Sequence, residues 1–307
     1  MQYDDFRRSN DIEDRRDDSG GMGGGGGLGL PMGGGGLGIG TIIVLGLIGY
    51  AFGIDPRILI GGAEMVSRGG QTYQADRRSP GKTGAPKDEM GDMVSAILGE
   101  IDDRWSEIFQ ASGQSYTGPK VVLFRNATNG GRCGMAQSAM GPFYCPPDRQ
   151  IFLDTNFFRQ VETRFHGCSG NACKFTAAYI IAHEAGHHIQ NLLGILPRVT
   201  RLQQQAGSKA ESNALQVKVE LQADCLSGVW ANRELKKRPG YLEEGDIDSA
   251  LTTASAIGDD TLQREATGRV VPDSFTHGSA AQRKRWFMTG FQQGTVKACD
   301  TFGASSL

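Results

Sequence analysis

From Asp88 onward the sequence predicts an α+β fold, a small sheet that precedes a largely helical body. Three observations lead there. Apolar residues recur at helical spacing over several long stretches. Two short β-rich runs, Lys120–Arg125 and Gln150–Thr155, lie together near the start of this region. The residues before Asp88 are of a different kind, glycine-rich or polar, apart from one apolar run.

The first 19 residues carry seven acids and four arginines, Arg7, Arg8, Arg15 and Arg16. Fourteen of the 45 glycines then fall between Gly20 and Gly40. No Gly-X-Y period runs through them, which excludes collagen. Residues 1–36 therefore read as a disordered polar and glycine-rich head, too poor in apolar surface to offset its ordering entropy. Residues 37–54, LGIGTIIVLGLIGYAFGI, contain no charge and end at Asp55-Pro56. Eighteen residues is near the lower limit for a helix spanning a bilayer, so this run is expected to be a single-pass anchor in the cell membrane. A glycine-rich core helix is the alternative. Residues 55–87, rich in Gly, Arg and turn formers, read as a linker. Residues 88–307 form the expected folded domain.

Within that domain Met90, Met93, Val94, Ile97, Leu98, Ile101, Trp105 and Ile108 mark an amphipathic helix. The two strands follow, separated by an irregular stretch with Cys133, Cys145 and Pro146-Pro147. Helices are expected over Phe175–Leu193, ended by Gly194 and Pro197, and over Lys209–Arg238, ended by Pro239-Gly240. Two more are expected over Asp246–Thr267 and Ser279–Gln293. The 32 basic and 34 acidic side chains nearly balance, which argues against a nucleic-acid partner bound through a strong positive field.

The chemistry concentrates in His183-Glu184-Ala185-Gly186-His187. Residues four apart share a helix face, so both imidazoles can meet one metal ion, and Glu184 lies beside them as a base for water. Two incidental surface histidines would be the plainer reading, but the apolar run Tyr179–Ala182 argues for burial. A catalytic zinc needs a third protein ligand. Glu220, 33 residues past His187, is the candidate, with Asp224 one turn later to hold a ligand histidine in its metal-binding tautomer. His188 and His166 are not expected to be ligands.

These residues, His183-Glu-Ala-Gly-His-His, Glu220-Leu-Gln-Ala-Asp-Cys and Cys133-Gly…Gly141-Pro-Phe-Tyr-Cys…Ile-Phe-Leu-Asp154, resemble the putative neutral zinc metallopeptidases. That is a bacterial family of single-pass membrane proteins with a gluzincin-type site. The resemblance covers most of the chain, and it implies a zincin-like domain, one Zn²⁺ and hydrolysis of a peptide or protein substrate. It also implies an edge strand that pairs with the substrate backbone, either Cys133–Ala139 or Ile151–Asp154, unless these form an ordinary hairpin. His277 is the candidate donor to the oxyanion, with Arg283 behind it and Tyr144 or Tyr241 as rivals.

Six cysteines suggest local pairs, Cys133 with Cys145 and Cys168 with Cys173, leaving Cys225 with Cys299, out of fifteen possible connectivities. Disulfides place the domain outside the cytoplasm, in the periplasm. The leading expectation is a membrane-anchored zinc endopeptidase. A catalytically silent zinc scaffold at the membrane and a hydrolase of cell-wall amides are the competing readings. The presence of Glu184 speaks against the scaffold, since a structural site needs no base.

Overall fold

The computed structural model describes residues 1–17, 82–163 and 168–307. The glycine tract, the apolar run 37–54, most of the expected linker and His166 lie outside the described residues. Among the described residues no helix is long and apolar enough to cross a membrane. One compact unit joins Met1–Asp17 to Gly81–Leu307.

Its sheet begins with β1 (Ile12–Asp14) and β2 (Lys82–Thr83), then β3 (Lys120–Phe124), β4 (Ala127–Asn129), β5 (Met135–Gln137), β6 (Phe143–Cys145) and β7 (Gln150–Asp154). Five strands lie in the order β2-β1-β3-β7-β6, while β4 and β5 form a separate hairpin. β1, β3 and β7 are parallel, with β2 and β6 antiparallel at the two edges. Alternation along the strands fills two cores. Val121, Leu123, Ile151 and Leu153 join the helical core. Val122, Phe124 and Phe152 face the other way and pack with Ala136 of the hairpin.

The helices are α1 (Glu89–Ala111), α2 (Thr155–Thr163), α3 (Ala172–Leu192), α4 (Ile195–Gln205), α5 (Lys209–Lys237), α6 (Asp246–Ala256), α7 (Asp259–Thr267) and α8 (Ala280–Gln293). The α+β class is as expected. Asp88 caps α1 by accepting from the Gly91 amide, and Ser279 with Gln282 forms a capping box on α8. α5 is the central helix and packs against both α3 and α8. The single helix expected over Asp246–Thr267 is two, broken at Gly258. A Cβ there would lie 2.6 Å from the Ala280 amide nitrogen, so the chain must bend round the start of α8.

The expected disordered head is corrected over residues 1–17. Met1, Tyr3, Phe6 and Ile12 are buried in the core, and β1 sits between β2 and β3. The arginines that made this stretch look solvated are paired instead. Arg7 meets Asp103, Arg8 meets Asp92, and Arg16 bridges Asp14 and Asp88. Gly99 of α1 admits this segment, because a Cβ there would fall 1.9 Å from the Arg7 carbonyl oxygen. The folded unit thus takes in residues 1–17 as well as those from 82 onward, and β2 falls within the expected linker 55–87.

One sheet holds residues from both sides of the apolar run, with Glu13 paired to Thr83 and Asp14 to Lys82; the run itself, expected as a single-pass anchor, lies outside the described residues.

All six cysteines are paired as proximity suggested: Cys133–Cys145, Cys168–Cys173 and Cys225–Cys299.

Candidate metal centre

α3 carries His183 and His187 on one face, and α5 brings Glu220 opposite them. Gly186 lets the two helices meet at this level: a Cβ there would stand 3.0 Å from the Ala223 carbonyl oxygen and 3.1 Å from its Cα. His183 Nε2 lies 3.3 Å, and His187 Nε2 3.4 Å, from the same Glu220 oxygen. The three ligand atoms fall within 4.8 Å of one another.

The opposite side of each ligand is held. His183 Nδ1 is 2.8 Å from Asp224 Oδ1. Asp224 also accepts from the Tyr179 hydroxyl at 2.6 Å and from Arg283 at 2.9 and 3.0 Å. His187 Nδ1 is 2.9 Å from Gln190 Oε1, and the second Glu220 oxygen accepts from Gln216 at 2.7 Å.

Burial opposes charge throughout this cluster, and the partners outweigh it. Arg283 and His183 hold the Asp224 carboxyl well below the usual range despite its burial. Burial would lower His183, but Asp224 and Glu220 raise it, and Glu220 does the same for His187. Glu184 is buried next to His183 and adds its charge to both imidazoles. Two Nε2 atoms and a carboxylate oxygen converging in this way fit a zinc ion, and are the number and type of protein ligands that a catalytic zinc uses.

His277 lies in the loop before α8 and is half exposed. One Asp259 oxygen accepts the backbone amides of Thr276, His277 and Gly278 at 2.7, 2.6 and 2.9 Å, fixing that loop. Partial burial works against charge on His277, yet Asp259 and Glu220 raise its pKa above the ordinary value. Arg283, expected behind His277, is buried on Asp224. The rivals are committed elsewhere: the Tyr144 hydroxyl is shared with His188 and Asn191, and the Tyr241 hydroxyl donates to the Ala231 carbonyl. His188 turns away from the cluster, with Nε2 on the Thr117 carbonyl and Nδ1 on Tyr144; burial lowers its pKa to about 4.

Of the two substrate-strand candidates, Ile151–Asp154 lies in β7, which β3 pairs along its whole length on one side and β6 pairs over Gln150–Phe152 on the other. Cys133–Ala139 contains β5, which pairs only with β4 among the described residues. The strand tied to α3 through Tyr144 and His188 is β6, at the sheet edge.

The model of the family described as "putative neutral zinc metallopeptidase" matches residues 1–302. The chain belongs to that family. The match includes β1, in keeping with its place in the sheet. Among its relatives, "Uncharacterized protein YpfJ" of Escherichia coli (strain K12) is 43% identical over 99% of this chain and 100% of its own length. "Uncharacterized protein Rv2575" of Mycobacterium tuberculosis (strain ATCC 25618 / H37Rv) is 44% identical over 70% of this chain and 71% of its own. No solved structure matches.

Sequence reasoning missed Gln190, Gln216, Tyr179 and Asp259. Gln190 is three residues after His187 and Gln216 four before Glu220, spacings that place each beside its ligand on the helix. That was the signal available for both. Asp259 lies 18 residues from His277, and nothing in the sequence joins them.

Proposed function

We propose that the protein is a zincin-type endopeptidase that hydrolyses peptide bonds in a peptide or protein substrate, with one zinc ion held by His183, His187 and Glu220. The observation that carries this is the convergence of the two Nε2 atoms with a Glu220 oxygen while both Nδ1 atoms are engaged from behind. Bound zinc supplies Lewis acidity, acidifying water and polarising the scissile carbonyl.

The remaining work falls to the chain. Asp224 and Gln190 orient the two imidazoles. Glu184 takes a proton from the attacking water and returns it to the leaving amine. His277, held by Asp259 and raised in pKa, donates to the oxyanion as it forms. An extended substrate adds to an open strand edge, for which β6 is favoured by its tie to α3. The apolar run 37–54 supports attachment to a lipid bilayer, and the sheet shared by β1, β2 and β3 favours both flanks on one face. The three disulfides support an oxidising, periplasmic setting.

The test is digestion of a peptide library by the full chain. Cleavage is expected to stop on chelation, to return with one equivalent of zinc, and to be absent from His183→Ala, which should also lose the metal. Cleavage that survives complete removal of zinc would overturn the reading.

A further inference from the structure

The metal site continues inward through a chain of buried amides. His187 Nδ1 meets Gln190 Oε1 at 2.9 Å, and Gln190 Nε2 donates to Gln222 Oε1 at 3.0 Å and to the Val219 carbonyl at 2.8 Å. Gln222 Nε2 donates in turn to the Cys299 carbonyl at 2.8 Å. Cys299 is bonded to Cys225 of α5. Gln190 is fully buried and Gln222 nearly so.

The chain runs in one direction only. Turning the Gln190 amide over would set its oxygen against the Val219 carbonyl and the Gln222 oxygen, acceptor against acceptor in a buried site. Turning Gln222 over would do the same at the Cys299 carbonyl. Each amide is therefore fixed by the next. The Gln190 oxygen must face His187, so the imidazole carries its proton on Nδ1 and turns the Nε2 lone pair to the metal position.

We infer that Gln190 and Gln222 are positioning residues that set the tautomer and ring orientation of His187, with the Cys225–Cys299 disulfide anchoring the far end of their relay. The inference rests on the zinc reading of His183, His187 and Glu220. Asp224 performs the same service for His183 with a carboxylate. His187 is served by a neutral amide, whose direction comes from its neighbours instead of its own charge.

The experiment is zinc competition against a chromophoric chelator, using full-length protein stripped of metal, with melting of the metal-free forms as a check on folding. Gln190→Met, similar in volume but without the acceptor, should weaken zinc ~10–100-fold. Gln190→Glu keeps an oxygen for Nδ1 but sets its second oxygen against the Val219 carbonyl and Gln222 Oε1, so it should bind zinc more tightly than Gln190→Met and less tightly than wild type. Gln222→Leu should weaken zinc in the wild-type background but add little to Gln190→Met, the non-additivity expected of one network. If Gln190→Met fails to fold, Gln222→Leu carries the same test. Zinc affinity unchanged in both Gln190→Met and Gln222→Leu, or two losses that simply add, would overturn the relay. Wild-type protein that binds no stoichiometric zinc would overturn the metallopeptidase reading and the relay with it.

Discussion

Asp224 accepts from Tyr179, His183 and Arg283 while fully buried, so its charge depends on keeping all three partners. Arg283→Met would leave that carboxylate without its cation, and breaking a buried pair from one side costs about 3–5 kcal/mol. Urea unfolding of the metal-free chain should show a loss of that order, and a loss below about 1 kcal/mol would mean that the remaining donors suffice. The acidic half of this site was legible because Glu220 and Asp224 stand one turn apart among apolar residues. Gln190 and Gln216 were not, since glutamine on a helix is most often solvated and only the packing of α3 on α5 gives these two their work.

α1 carries an acid that works against the fold at neutral pH. Asp102 is buried and accepts from the Tyr116 hydroxyl at 3.0 Å. Burial pushes its carboxyl up to about 7, against the opposing pull of Tyr116 and Arg7. A raised carboxyl pKa favours the native state below the unfolded value and loses that advantage as pH rises through the folded one. Asp102→Asn should therefore match wild type near pH 4 and exceed it at pH 8 by up to about 4 kcal/mol, three pKa units at ~1.4 kcal/mol each. Denaturant unfolding at both pH values checks it, and an equal gap at both would refute it. The long helices and the two five-residue strands were legible because each repeats its period often enough to be read. β1, β2, β4, β5 and β6 have two or three residues each and repeat nothing. α4 was hidden by Pro197, which sits in its first turn, where a missing N–H costs no helical bond.

At the scale of the molecule, the sequence suggested a disordered head, and the sheet contradicts that over residues 1–17. Charge misled: the arginines of residues 1–17 suit solvent, yet acids on α1 and at its cap receive Arg7, Arg8 and Arg16. Single cysteines substituted at Asn10 and Ser305, both exposed, should react together or not at all with a membrane-impermeant thiol reagent on intact cells. Labelling at one position alone would place the two on opposite faces of the membrane, as a single crossing requires. The most direct measurement is the peptide cleavage rate of Glu184→Gln at a zinc content equal to wild type. Glu184→Gln should keep a full zinc complement with the rate down ~10²–10⁴-fold, whereas cleavage at the wild-type rate would mean that Glu184 is not the base.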